Sequence, residues 1–379
     1  VDYFLKSGLA LLNEFDKYKF EAYIVGGAVR DHLLDRQVKD LDITTKAPII
    51  VLKRKFKVIE VEYGVCKIEY ANRLIDCATY RCESDYSDYR HPTFINNAET
   101  VEEDLKRRDF TINALLMDKT GQIIDHVNGL EDLKLRRIKS IGDPLVRFNE
   151  DALRILRAFY FQAKLGFIIE TNTLTAISKC RNNLLRISPY WIKEELKKIV
   201  KSVHYKKAFL SMLSVGIDET FPFLQKGIEF LANNDVDKLT IDLFYYIIFA
   251  LNKEVDNSLD FSNKEIQKFK NLVCLVYKQI NEKHLFEYGL ENCLLANKIA
   301  NIIGVTKVSG FEIVNLYDTM KITSIVDLKI TSAQIINILD KKAGAWLKIL
   351  QSELLDAVLT KKVKNTKEDL SKYIIENKK

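Results

Sequence analysis

Tyr23-Ile24-Val25-Gly26-Gly27-Ala28-Val29-Arg30-Asp31, followed after a short gap by Lys39-Asp40-Leu41-Asp42-Ile43-Thr44-Thr45, is the stretch on which the reading of this chain turns. The apolar triplet ahead of Gly26 reads as a strand, and an amphipathic segment begins at Ala28. Paired glycines between a strand and a helix start let backbone N–H groups approach a phosphate with no Cβ in the way, and the helix N-terminus adds partial positive charge. Arg30, in the first turn, can reach the same anion with a charge-assisted fork. Asp40 and Asp42 are spaced i, i+2, which on a strand places both carboxylates on one face. Such a pair is a hard, oxygen-rich site suited to Mg2+, an ion that usually binds together with substrate phosphates. A phosphate cradle shortly before a magnesium pair points to phosphoryl or nucleotidyl transfer. Either motif alone also fits a plain turn or a solvent-facing strand; their succession carries the reading.

The 379 residues leave room for about two or three domains. With 47% hydrophobic and 29% charged residues the composition is that of a globular protein, not of a disordered or membrane-embedded one. No run is long and apolar enough to span a bilayer, and the first residues lack the order of a signal peptide, so a cytoplasmic protein is expected. Cys66, Cys77, Cys82, Cys180, Cys274 and Cys293 form no C-x-x-C pair, which argues against a zinc site and a disulfide framework. The formal charge of +6 is compatible with a polyanionic partner. The histidines (His32, His91, His126, His204, His284) are scattered, with no His-Asp pair in the later half to hold the metal of an appended phosphohydrolase.

Outward from the glycine pair, Phe4, Leu5, Leu9, Leu12 and Phe15 predict an amphipathic helix leading into the strand. Residues 57–61, 65–70 and 74–81 predict strands, the last two joined by a hairpin turn at Ala71-Asn72-Arg73. Residues 82–104 are polar and aperiodic and read as a long loop. A helix-like segment follows from Val101, then short strands at 115–117 and 123–125. From Asn149 onward the strand signal disappears, which predicts a mixed α/β N-terminal domain and an all-helical remainder. The lysine-rich stretch 361–379 is expected to end the chain as a basic helix.

Two further motifs carry chemistry. Arg107-Arg108-Asp109-Phe110-Thr111-Ile112-Asn113 sets cations, an acid and an amide on a short span. In a nucleotide site Arg108 would neutralise triphosphate charge, Asp109 would accept from a ribose hydroxyl, and Asn113 would share a helical face with Asp109. A solvated charged helix face is the plain alternative. In Glu150-Asp151-Ala152-Leu153-Arg154, Asp151 and Arg154 are three apart and neighbours on a helix. A carboxylate accepts and a guanidinium donates. Together they match the amine and ring nitrogen of cytosine or adenine, and leave uracil and guanine with unpaired groups at about 1–3 kcal/mol each. The same spacing also suits an ordinary surface ion pair.

Taken in order, Gly26-Gly27-Ala28-Val29-Arg30-Asp31, Asp40-Leu41-Asp42, Arg107 to Asn113 and Glu150 to Arg154 resemble the successive motifs of the bacterial class II tRNA nucleotidyltransferases, the CCA-adding enzymes. Asn128-Gly129-Leu130-Glu131-Asp132-Leu133, Asp143-Pro144-Leu145-Val146-Arg147-Phe148 and the run from Gly344-Ala345-Trp346 to Asn365-Thr366-Lys367-Glu368 extend the likeness over nearly the whole chain.

The resemblance implies an α+β protein. A polymerase-beta-like nucleotidyltransferase head (1–137) would carry a mixed sheet with helices, followed by an all-α neck (138–203), body (204–268) and tail (269–379). It implies that Gly26, Gly27 and Arg30 hold the triphosphate, and that Asp40 and Asp42 hold magnesium, with Asp76 as a third catalytic carboxylate. Arg108, Asp109 and Asn113 would grip phosphate and ribose. Asp151 and Arg154 would template the base, with Arg157 a further nucleotide-site arginine. The segment 82–104, including Asp88-Tyr89-Arg90-His91-Pro92, resembles the loop with which the family switches from C to A addition. The implied substrates are tRNA, CTP and ATP, with Lys361, Lys362 and Lys364 as RNA contacts and no membrane or obligate protein partner. Two positions depart from the family pattern: Tyr160 stands where a further arginine is usual, and Tyr190-Trp191 where a Glu-Arg pair is common. An A-adding enzyme or a poly(A) polymerase is the alternative within the superfamily, and a catalytically silent tRNA-binding protein the alternative outside it.

Overall fold

Leu5, Leu11, Leu12 and Phe15 are the residues by which the first helix, α1 (Tyr3–Lys17), is buried, as their spacing predicts. A computed structural model of the chain describes residues 3–62, 65–86, 89–90, 92–306, 308–320 and 322–378. The chain forms two compact units, residues 1–241 and 242–379.

After α1 the first unit runs through β1 (Ala22–Val25), α2 (Gly27–Leu33), β2 (Asp42–Thr45), α3 (Ile49–Lys55), β3 (Val58–Glu62), β4 (Val65–Tyr70) and β5 (Arg73–Thr79). It continues with β6 (Arg81–Tyr86), β7 (Pro92–Asn97), α4 (Val101–Lys106), β8 (Leu116–Met117), β9 (Ile123–Ile124), α5 (Gly129–Lys134) and β10 (Arg137–Ile138). Seven of these strands make one mixed sheet in the order β3-β4-β5-β2-β1-β8-β9, with β2 and β5 parallel and the other neighbours antiparallel. Ala71 and Asn72, both at positive φ (48° and 57°), turn β4 into β5, the conformation that a two-residue hairpin turn of the right hand requires. Helix α1 packs close on β1: a Cβ at Gly8 would come within 2.8 Å of Ile24 and 2.7 Å of Leu41. Behind the sheet, Val25, Tyr80, Val101, Leu105 and Leu116 share a core.

Three stretches differ from expectation. Residues 82–104 are not a long loop: β6 and β7 pair as a separate antiparallel ribbon with Cys82 opposite Asn96, and α4 follows, capped by the Thr100 hydroxyl. Arg-Cys-Glu-Ser-Asp-Tyr has no apolar–polar alternation, so a ribbon outside the main sheet leaves no period-two signal in the sequence. Asp88 and His91 lie outside the described residues. The helix expected through 107–113 ends at Lys106, and Thr111–Asn113 form a 3-10 turn instead. The region after Asn149 is not strand-free: β11 (Ile168–Ile169) pairs in parallel with β10, too short a segment to show periodicity.

Around β11 the first unit is helical. This part comprises α6 (Pro144–Glu150), α7 (Leu153–Leu165), α8 (Thr171–Cys180) and α9 (Pro189–Val200). Asp143 caps α6 by accepting from Leu145 N at 2.9 Å with Pro144 at the first helical position, and Gly166, at φ 73°, ends α7. The unit closes with α10 (Tyr205–Ser214), α11 (Ile217–Thr220) and α12 (Gln225–Asn233).

The second unit is built of α13 (Ile241–Asn252), α14 (Asn263–Val276), α15 (Glu282–Ile302), kinked at Gly289, α16 (Gly310–Asp318), α17 (Ser332–Leu339), α18 (Ala345–Leu359) and α19 (Lys367–Lys378). Tyr245, Phe249, Phe261 and Phe269 stack edge-on and tilted in one core, and Ile335, Leu354, Leu370 and Ile374 lie in another. The final helix begins only at Lys367 and is not basic, its three lysines being matched by Glu368, Asp369 and Glu376; Lys361, at φ 61°, lies in the turn before it. Among the described residues no helix is long and apolar enough to cross a membrane.

Candidate active site

Within the first unit a cleft of about 1690 Å³ opens between the sheet end and helices α7 and α9. Gly26, Gly27, Arg30, Asp40, Asp42, Arg108, Asp109, Asn113, Asp151, Arg154 and Arg157 all line it, so residues spread over 130 positions of sequence meet in one place. Asp76 is not on that lining, and the lysines at 361, 362 and 364 belong to the other unit.

Strand register builds the carboxylate corner. Val25 pairs with Asp42 and Asp42 pairs with Asp76, so the glycine turn, Asp42 and Asp76 stand side by side at one edge of the strands. Asp40 precedes β2 and is not on a strand, so the two acids do not share a strand face as their spacing suggests, although both reach the cleft. Among the described residues no donor is hydrogen-bonded to the Asp42 carboxylate. Burial pushes its pKa up to about 6, with Asp76 and Asp40 adding to the rise and Arg108 opposing it. A carboxylate held in that state is short of positive charge, and a divalent cation would supply it. No group of three or more His, Cys, Asp or Glu among the described residues is placed to hold a metal by itself. The donor set therefore fits a hard cation that takes further oxygens from substrate. Gly26, at φ 77°, leaves the corner open: a Cβ there would sit 3.7 Å from Asp42 Oδ2, Arg108 Nη1 and Asn113 O.

The cationic side is partly pre-engaged. Arg30 is buried; its Nε donates to Asp31 Oδ1 at 2.8 Å and its Nη1 to Asn113 Oδ1 at 2.5 Å, and the guanidinium lies 5.3 Å from the Phe161 ring. Its fork faces protein partners first: Nη2, which borders Gly27, also pairs with Asp31 Oδ1 at 2.7 Å. Arg108 donates Nη2 to Asp104 at 3.3 Å, and its buried Nε has no partner among the described residues. Burial, together with the like charge of Arg107, lowers its pKa against the pull of Asp104 and Asp42. A buried N–H beside a second guanidinium is a place where an anion would be held favourably.

Asp109 ties the 3-10 turn to α7. Its Oδ1 accepts from Phe110 N (2.7 Å) and Asn113 Nδ2 (3.0 Å), its Oδ2 from Arg157 Nε and Nη2 (2.8 and 2.6 Å). Burial alone would raise its pKa, but Arg157 and these donors hold it below the usual range. The expected Asp109–Asn113 contact is present, made across a 3-10 turn and not along a helix.

At the far end Asp151 occupies the break between α6 and α7, with Oδ2 3.9 Å from Arg154 Nε. The helical face inferred from spacing is absent, yet the two side chains are neighbours. Asp151 Oδ1 accepts from Leu153 N at 3.0 Å and Oδ2 from Arg90 Nη1 at 2.9 Å. Burial raises its pKa against the pull of Arg90 and Arg154. Arg154 is fixed by two backbone carbonyls, Arg147 O (3.1 Å from Nη1) and Arg107 O (3.0 Å from Nη2).

Sequence reasoning passed over Asp104, Lys164, Glu195 and Lys198. Asp104 is fully buried and holds Arg107 (2.8 Å), Arg108 and Thr44 Oγ1 (3.2 Å); its i+3 and i+4 arginines were a visible signal. Lys164, Glu195 and Lys198 line the cleft from α7 and α9, as do the two departures Tyr160 and Trp191. Lys198 pairs with Glu195 at 2.7 Å and lies 5.8 Å from the Tyr160 ring, so a cation stands near the position that lacks its arginine. In the second unit Lys361, Lys362 and Lys364 are exposed, Lys361 pairing with Glu282 at 3.2 Å.

Three family patterns match the chain: Poly A polymerase head domain over residues 22–139, probable RNA and SrmB-binding site of polymerase A over 166–227, and tRNA nucleotidyltransferase domain 2 over 243–374. A CCA-adding enzyme of Staphylococcus haemolyticus is 32% identical over 97% of this chain and 96% of its own length. One of Lactobacillus helveticus is 33% identical over 98% and 97%. Among solved structures, the Bacillus stearothermophilus CCA-adding enzyme in complex with CTP superposes with a TM-score of 0.73 at 24% identity, covering 99% of this chain and 98% of that one.

Proposed function

The chain belongs to the CCA-adding enzymes, and from that membership we propose that it is a tRNA nucleotidyltransferase that completes the 3′ end of tRNA with C, C and A, consuming CTP and ATP and releasing pyrophosphate. The observation that carries this reading is the single cleft in which the glycine turn, the carboxylates and the Asp151–Arg154 pair meet.

The chemistry is nucleotidyl transfer. The tRNA 3′-hydroxyl oxygen forms a bond to the α-phosphorus of the incoming nucleotide, the bond to the β-phosphate oxygen breaks, and the hydroxyl proton passes to solvent. Nucleotidyl transfer in this superfamily uses a divalent metal, here read as Mg2+ held by Asp40 and Asp42 with Asp76 beside them. Bound there, it would lower the pKa of the attacking hydroxyl and neutralise charge on the phosphates. The turn at Gly26-Gly27 gives the triphosphate close backbone approach, and Arg108, whose Nε has no partner among the described residues, supplies positive charge. Asp109 and Asn113 face the ribose. Asp151 accepts from the exocyclic amine of cytosine or adenine and Arg154 donates to the adjacent ring nitrogen, while uracil and guanine offer the reverse pattern. The helical second unit, with its exposed lysines, would hold tRNA by phosphates and A-form shape.

The test is extension of three tRNA transcripts, ending before CCA, after C and after CC, with CTP, ATP, UTP and GTP offered singly and together. Completion of all three to CCA with U and G refused is the expected result. Extension of the third transcript alone would make the chain an A-adding enzyme, and an unbounded A tail a poly(A) polymerase. No incorporation would remove the enzymatic reading.

A further inference from the structure

Trp191 has no part in the chemistry just described, yet it lines the cleft beside the base-reading pair. The residue is about one-third exposed, at 36%. Arg90 lays its guanidinium 5.1 Å from the Trp191 ring centroid, and the same guanidinium donates Nη1 to Asp151 Oδ2 at 2.9 Å. A planar, delocalised group therefore sits against the indole while giving an N–H to the carboxylate that reads the base. A cytosine or adenine would make the same two contacts, its π face on the ring and its exocyclic amine on Asp151. Tyr190 packs edge-on against Trp191, with centroids 5.1 Å apart and planes at 76°, which limits the directions the indole can take.

We propose that Trp191 is the stacking platform for the base that Asp151 and Arg154 read, and that Arg90 covers ring and carboxylate until the base displaces it. The inference rests on the nucleotidyltransferase reading for the identity of its ligand. Stacking does not discriminate, because every base has a π face, so Trp191 adds affinity for all nucleotides and leaves choice to the hydrogen-bonding pair. Exchange of Arg90 for a base keeps a donor on the Asp151 oxygen, and Arg154, with Nε 3.9 Å from Oδ2, keeps a cation beside the carboxylate.

The chain has two tryptophans, and Trp346 lies in the other unit. Trp346→Phe in the full-length protein thus leaves Trp191 as the sole indole reporter. Titration with CTP and magnesium chloride is expected to quench its emission, saturating at the Kd measured by calorimetry. Trp191→Leu is expected to raise the Kd and KM for both CTP and ATP by about tenfold or more, as for loss of one base–aromatic stack, with preference over UTP unchanged. Trp191→Phe, which keeps a ring, should recover most of that loss. Arg90→Ala should bind CTP at least as tightly as the unaltered chain.

An emission unchanged at saturating CTP, or a Trp191→Leu Kd within about twofold of the parent, would overturn the platform. A tenfold weaker Arg90→Ala would overturn the cover. These binding readouts need no turnover. Quenching by CTP without tRNA extension would remove the proposed function and leave the platform, whereas normal extension with an unaffected Trp191→Leu would do the reverse.

Discussion

If Arg154 reads the base as proposed, base choice depends on how its guanidinium is held. Two backbone carbonyls and Glu150 Oε2 (3.2 Å) fix its guanidinium before any nucleotide arrives, so its donors are already aimed. Lysine keeps the charge but is a single point donor and cannot span both carbonyls. Arg154→Lys is therefore expected to reduce the CTP-over-UTP ratio of kcat/KM by about 10-fold or more, the scale of about 1–3 kcal/mol for a lost buried pairing, while the chain still extends tRNA. Unaltered selectivity would remove Arg154 from base reading. A second residue-scale case is Asp104, fully buried between two arginines. Asp104→Asn removes the buried counter-charge that those cations share, and a broken buried pair costs about 3–5 kcal/mol. Burial would raise its pKa, but Arg107 and Arg108 hold it below 3.8. The unfolded chain therefore takes up the proton first. The contribution of Asp104 is complete above the unfolded value and lost as pH falls through the lower folded one. Thermal melts from pH 5 down to pH 3 should show a steep decline for the parent chain and a shallower one, from a lower start, for Asp104→Asn.

At the scale of elements, what could be read from sequence and what could not divide along physical lines. Helix α1 and strands β4 and β5 bury one face each, so their apolar spacing is visible, and β1 buries Ile24 and Val25 on opposite faces, so it reads as a short apolar run. The glycine turn and the Asp151–Arg154 neighbourhood were legible because the residue types themselves carry the chemistry. The β6–β7 ribbon was not, since strands outside the main sheet bear no alternation. Helical spacing found the Asp109–Asn113 and Asp151–Arg154 contacts but gave the wrong backbone for both, because a 3-10 turn and an interhelical break bring the same side chains together. Glu195, Lys164 and Lys198 gave no local signal: only the packing of α7 and α9 brings them to the cleft. Packing also explains Gly129. It opens α5 where a Cβ would lie 2.4 Å from the Thr111 carbonyl oxygen and 3.0 Å from Leu115 Cδ2. Backbone cannot yield as a side-chain tip can, so Gly129→Ala must displace the 3-10 turn that carries Asn113, and with it the Asn113–Arg30 bond. The expected result is a loss of about 1–3 kcal/mol in thermal stability together with a lower kcat. A variant with the parent's melting temperature and rate would mean that α5 shifts without moving the site.

For the whole molecule, the two units divide the work unequally in charge. The first holds the nucleotide cleft, where cations are matched by Asp31, Asp104, Asp109 and Asp151. In the second, Lys362 and Lys364 are exposed and in no ion pair among the described residues, whereas Lys361 shares Glu282. Unpaired surface lysines gain most from meeting phosphates, because each contact releases condensed counterions, with a slope in log K against log salt of about −0.7 to −0.9 per phosphate. If this turn between α18 and α19 tracks the tRNA backbone, replacing all three lysines by alanine should flatten that slope by about 2. Lys362 and Lys364 should account for most of it, since Lys361 must first give up its carboxylate. The KM for tRNA should rise while the KM for CTP stays where it was, because no nucleotide contact is touched. Equilibrium binding of tRNA measured from 50 to 300 mM salt separates the cases. A parallel line for the triple variant would put the RNA path on other lysines of the second unit, and a flattened line with an unchanged CTP KM would place it over this turn.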